Sequence, residues 1–211
     1  TLFFTLELNR LDDAQLEEKL KSVKLAHYQP WLRDVRVYRP HQLSDEIERL
    51  LHEKEVAGRS SWMRLFDETI AALRFDVNGK TLTETETLHL LSDANGETRK
   101  AAAKALGRVF GDNIRIFGHI TNTLVKDKEI EDTWRNYPHP WSARNLSNQV
   151  EDEVVDALVQ AVKAAYGRMA HRYYKLKAKW FGVDALPYWD RNAPLPDDID
   201  RLFTWPQARD T

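Results

Sequence analysis

From Val155 to Trp180 the apolar residues recur at steps of three and four: Val155, Leu158, Val162, Ala165, Met169, Tyr173, Leu176 and Trp180. That spacing returns side chains to one side of a helix of 3.6 residues per turn, whereas a strand would need strict alternation. It predicts one long helix over 151–181 with a continuous apolar stripe. A stripe of this kind is read as core, not as a cofactor-binding face. A chain with a helix this long must find helical neighbours to cover it.

The rest of the sequence supplies them. "LDDAQLEEKLKS" opens with acids and continues with strong helix formers. "PWLRDVRVYRP" is bracketed by prolines and can hold only a short helix. In "LSDEIERLLHEKEVAG" Ser44 is a candidate N-cap, Ile47, Leu50 and Leu51 share a face, and Gly58 marks the end. "SSWMRLFDETIAALRF" repeats the helical stripe through Trp62, Leu65, Phe66, Thr69, Ile70 and Leu73. "TETETLHLLSD" and the long run from Gly96 to Asp127 are also helical. Gly107, Gly111 and Gly118 in that run predict close helix packing or a break.

"FDVNGKTLT" is the exception. Asn78-Gly79 between alternating residues predicts a type I′ hairpin near 74–83, because both central positions of that turn need positive φ. The fold class expected is therefore all-α, with this one small hairpin. "NYPHPWSARN" (Asn136 to Asn145) holds two prolines and is the candidate boundary. It separates a helical lobe over 1–135 from a region over 136–211. The second region contains the 151–181 helix, a Pro- and Asp-rich extended segment over 184–204, and the start of a further helix. That last helix begins near Trp205, with Thr204 as N-cap and Pro206 in its first turn.

Chemistry-bearing patterns are few. The net charge of −2 gives no electrostatic case for nucleic acid or an anionic membrane. With no cysteine, disulfides and thiolate metal sites are excluded. No apolar run approaches a bilayer's thickness. "LLHEKEV" contains His52–Glu53, half of the zinc-peptidase signature HExxH, but the second ligand position is Val56. The seven histidines are His27, His41, His52, His89, His119, His139 and His171, and no two stand four apart. His52–Glu53 is read as the polar face of a surface helix. No nucleophile elbow, Walker motif or dinucleotide fingerprint is present. "HRYYKLKAKWF" interleaves aromatic and basic residues as nucleic-acid binders do. Tyr173 and Trp180 belong to the apolar stripe, however, and are expected buried. Arg172, Lys175, Lys177 and Lys179 are read as structural cations at a helix C-terminus. Asp197, Asp198 and Asp200 lack the glycine and terminal glutamate of a calcium loop and are read as a solvated turn. No catalytic, metal-binding or substrate-binding residue is assigned. The apolar opening "TLFF" and the helix start close to Thr211 read as cuts through something larger.

Three segments carry a resemblance: "PHQLSDEIERLLHEKEVAGRSSWMRLFDETIAALRF", "YPHPWSARNLSNQVEDEVVDALVQAV" and "RYYKLKAKWFGVDALPYWDRNAPLP". In this order and spacing they resemble the portion of oligoendopeptidase F-type zinc peptidases that lies upstream of HExxH. The third is the most specific, a helix ending in Tyr-Tyr-x-Leu-Lys that leads to Tyr-x-Asp-x-x-Ala-Pro-Leu. The resemblance implies a larger, largely helical, cytoplasmic enzyme that cuts short peptides inside a channel. It implies zinc held by two His of HExxH and a downstream Glu, outside this chain, so no catalytic residue carries over and this chain holds no cofactor. The expected role is a non-catalytic portion forming channel wall. The partners implied are short peptides and the missing C-terminal catalytic portion. The alternative reading is a stand-alone helical interaction module.

Overall fold

The computed structural model describes residues 2–196 and 202–210. Contacts divide the chain into two compact units, one built from 1–68 with 115–161 and the other from 69–114 with 162–211. The expected boundary segment, 136–145, lies inside the first unit.

The first unit starts with α1 (Leu2–Arg10), α2 (Asp13–Leu20) and α3 (Gln29–Arg36). Helix α2 begins where the sequence provides a reciprocal cap. The Asp12 carboxylate accepts from the Gln15 backbone N–H at 2.7 Å, and the Gln15 side chain reaches back to the Asp12 N–H. Leu8, Leu16, Leu20 and Leu32 close on each other as its core, with Leu11 and Val35 packed alongside. Two further helices follow, α4 (Asp45–Lys54) and α5 (Arg59–Ala72). Ser44 sits at the N-cap of α4 in extended conformation, but its side chain makes no capping bond.

The second unit is organised by the hairpin of β1 (Phe75–Val77) and β2 (Lys80–Leu82). Asn78 has φ 52° and Gly79 φ 78°, as a type I′ turn demands. Phe75 and Val77 both point inward while Asp76 between them is exposed. After α6 (Glu84–His89), α7 (Gly96–Asp112) presents Ala102, Ala105 and Leu106 to those two side chains. The alanines let the strand approach closely, and Phe110 meets the Phe75 ring edge-on at 5.5 Å. An isolated two-stranded hairpin is marginal in water, so this contact with α7 is what holds it. Gly79→Val forces a β-branched residue to positive φ, where a Cβ would meet no neighbour and only the backbone strain acts. The expected cost is about 1–3 kcal/mol, read as a lower melting temperature. An unchanged melt would mean the turn tolerates negative φ.

Helix α7 ends at Asn113, and α8 (Ile114–Trp134) continues after it. The run does break, at Asn113, two residues after Gly111, while Gly107 and Gly118 lie inside α7 and α8. A Cβ at Gly107, Gly111 or Gly118 would meet nothing within 4 Å, so none of them serves close packing. Helix α9 (Ser142–Ser147) precedes α10 (Asp152–Ala165) and α11 (Ala170–Trp180), and α12 (Trp205–Arg209) is capped by Thr204 as expected.

Two expectations about 151–181 are corrected. The segment is two helices, not one. At Tyr166 the hydrogen-bond ladder slips: its carbonyl accepts from both Ala170 at 3.0 Å and His171 at 3.4 Å. Gly167, a poor helix former, sits in that slip. The stripe is also not core within this chain. Leu158 and Met169 are each 63% exposed, and Tyr173 and Trp180 are 47% and 46% exposed.

Candidate functional site

The buried polar groups lie in two clusters, one in each unit. In the second unit they pin the segment 188–195. Lys177, on the last turns of α11, is 2% exposed. Its Nζ donates to the carbonyls of Arg191 at 2.8 Å and Ala193 at 2.7 Å. Arg99, on the first turns of α7, donates through Nε to Asp190 Oδ1 at 2.9 Å, and its second terminal nitrogen lies 2.7 Å from the same oxygen. Its remaining nitrogen donates to the Asp93 and Ala94 carbonyls. The Phe181 ring lies 6.0 Å from the Arg99 guanidinium and 5.8 Å from the Lys177 ammonium. Burial, aided by the Arg99 charge and opposed by Asp190, holds Lys177 below the usual ammonium range. The Lys of Tyr-Tyr-x-Leu-Lys and the Asp of Tyr-x-Asp-x-x-Ala-Pro-Leu are thus the two ends of one latch. Their chemistry is positional, because every side-chain nitrogen of Lys177 and Arg99 is already engaged by a carbonyl or a carboxylate.

In the first unit Arg135, just beyond α8, forks onto Glu48 of α4 at 2.6 and 3.0 Å. Its Nε donates to Glu131 at 2.8 Å, and it also donates to the His41 carbonyl at 3.1 Å. His41 Nδ1 returns a bond to the Arg135 carbonyl at 2.8 Å, and Tyr137 stacks on the His41 ring at 4.1 Å. Burial pushes the Glu48 carboxyl up. Arg135 and the Leu43 backbone N–H outweigh it and hold Glu48 below the usual glutamate range. The Glu48 hydrogen bonds raise Arg135, and Glu131 adds to them.

The sequence candidates are placed as follows. His52 and Glu53 are exposed on α4, and Glu53 pairs with Arg49 at 2.8 Å. His52 borders an open cleft of about 500 Å³ in the first unit together with Glu48, Glu131 and Arg135. Among the described residues no three His, Asp or Glu side chains are disposed to hold one metal ion. These residues therefore do not fit a zinc centre. Of the four α11 cations, Arg172, Lys175 and Lys179 are exposed and Lys177 alone is buried. Asp197, Asp198 and Asp200 lie outside the described residues. Sequence reasoning missed Arg99, Asp190, Glu48 and Arg135 as a set, since their partners are 91 and 87 residues apart. No described helix is long and apolar enough to cross a membrane.

Residues 7–75 match the family model described as Oligopeptidase F. The fold is similar to the crystal structure of oligoendopeptidase-F from Enterococcus faecium, with a TM-score of 0.78 and 26% identity over 92% of this chain and 39% of that one. In sequence and fold the chain is similar to the oligoendopeptidase F family. Oligopeptidase PepF of Bacillus subtilis is 26% identical over 100% of this chain and 32% of its own length. Group B oligopeptidase PepB of Streptococcus agalactiae is 26% identical over 98% of this chain and 35% of its length. The chain spans about a third of the length of those relatives.

Proposed function

We propose that this chain is the non-catalytic portion of a zinc-dependent, cytoplasmic oligopeptidase that hydrolyses short peptides. In the whole enzyme it contributes wall of the substrate channel and restricts which peptides enter. One observation supports the reading above the others. The chain aligns with oligopeptidases end to end while amounting to about a third of their length, and its sequence contains no HExxH. Peptide hydrolysis needs a polarised water and a stabilised oxyanion, which in zinc peptidases come from the metal centre. The residues of this chain can orient a peptide, but among the described residues no three His, Asp or Glu side chains are disposed to hold the metal. The missing C-terminal catalytic portion is its first partner.

The test compares the 211-residue chain with the product of its intact reading frame. After dialysis the short chain is expected to hold far less than one zinc and to show no chelator-sensitive cleavage of a quenched fluorescent peptide. The intact product is expected to contain HExxH, hold one zinc and cleave. Stoichiometric zinc on the short chain, or turnover lost on His52→Ala, overturns the proposal.

A further inference from the structure

Leu2, Leu6 and Asn9 stand at i, i+4 and i+7 of α1 and so share one helix face. An apolar residue is expected at the third position, and the chain places a carboxamide there. Asn9 is 5% exposed, and its Oδ1 is buried with no hydrogen-bond partner. Gln42, just past the Arg39–His41 turn, repeats the anomaly with a buried, unpartnered Oε1. A buried acceptor left unpaired costs free energy that a leucine or methionine of similar size would not. These are the only two such side-chain atoms among the described residues. Both side chains line one cavity of about 260 Å³ in the first unit. At ~30 Å³ per water, that space is several times what one bridging water fills.

The walls indicate what would complete these acceptors. Leu2, Leu6, Tyr38 and Tyr137 supply apolar surface. The two charges in the wall, Glu48 and Arg135, already pair with each other, so a charged guest would find no counter-ion. His41 also lines the cavity. Its Nδ1 must donate, because its partner is the Arg135 carbonyl, and this leaves Nε2 an acceptor in the neutral ring. We propose that this cavity binds a neutral amide with small apolar substituents, the chemistry of one blocked peptide residue, with Asn9 and Gln42 accepting its N–H groups. Assigning that amide to a substrate peptide rests on the proposed function; the chemistry of the cavity does not.

The probe is N-acetyl-leucine methylamide, added to the isotope-labelled 211-residue chain and followed by NMR. Saturable shifts are expected at the Asn9 and Gln42 side-chain amides, with a Kd of about 1 mM for a ligand of this size. Asn9→Leu should weaken binding at least ~10-fold and leave the melting temperature the same or higher, because it removes an unpaired buried acceptor. Gln42→Met should act alike. Free leucine, carrying both charges, should bind at least ~10-fold more weakly than the blocked compound. The proposal is overturned by no saturation up to about 20 mM probe, by shifts unchanged in both variants, or by a melting temperature more than about 3 °C lower in Asn9→Leu. Tighter binding of leucine methylamide, which keeps a free ammonium, identifies a cationic guest and also overturns it. If the intact reading frame yields a zinc-dependent peptidase but the probe does not bind, the cavity assignment fails and the proposed function stands. If that frame supplies no HExxH while the probe binds as described, the proposed function fails and the cavity assignment stands.

Discussion

Arg99→Ala is expected to destabilise the second unit by about 3–5 kcal/mol, the usual cost of removing one partner from a buried ion pair. The size follows from what the guanidinium leaves behind. Asp190, with its side chain 13% exposed, loses the guanidinium that pairs with it. The Asp93 and Ala94 carbonyls lose their donor. Lys177 does not substitute, because its Nζ is committed to Arg191 and Ala193. Arg99→Lys should recover little, since one ammonium cannot reach two carbonyls and a carboxylate together. The measurement is a urea midpoint followed by circular dichroism, with Asp190→Leu and the double variant completing a cycle. The double variant, with both charges gone, should be more stable than Arg99→Ala alone. If Arg99→Ala shifts stability by less than about 1 kcal/mol, the buried latch is not what holds the 188–195 segment.

Arg135→Ala is the second large effect, at about 3 kcal/mol, because it strands the Glu48 carboxylate between α4 and the His41 turn. This site also imposes a pH dependence with a definite sign. The folded pKa of Glu48 is depressed, so the folded state binds fewer protons at this group than the unfolded chain does. Its contribution is fully present above the ordinary glutamate value of 4.5 and is lost as pH falls through the depressed folded value. Wild type should therefore lose stability on acidification below about pH 4.5, with a slope of up to about 1.4 kcal/mol per pH unit from this group. Glu48→Gln should be less stable at neutral pH and should lack that part of the acid dependence. Parallel acid branches in wild type and Glu48→Gln would show that Glu48 is not held down by Arg135.

Some of this architecture was legible in the residues alone. Asn78-Gly79 announced its turn because few conformations suit that dipeptide between alternating neighbours, and both residues have positive φ. Thr204 and Pro206 announced the start of α12 for the same local reason. The Tyr-Tyr-x-Leu-Lys and Tyr-x-Asp-x-x-Ala-Pro-Leu patterns were visible as words. What joins them was not, because Lys177 meets the backbone carbonyls of Arg191 and Ala193, which no residue type marks, and the Arg99 that holds Asp190 lies 91 residues before it.

The chain by itself determined helical class, the hairpin, the Thr204 cap and the absence of HExxH. All of these depend on neighbours within a turn or two, where spacing and φ preferences act directly. Only the tertiary structure decided which charges are buried, since the Lys177 ammonium differs from its neighbours Lys175 and Lys179 solely in where the 191–193 carbonyls return to meet it. It also decided the state of the Val155–Trp180 stripe. Periodicity shows that a helix has an apolar side, but burial requires a second surface against that side. In this chain Leu158, Met169 and Trp180 remain exposed.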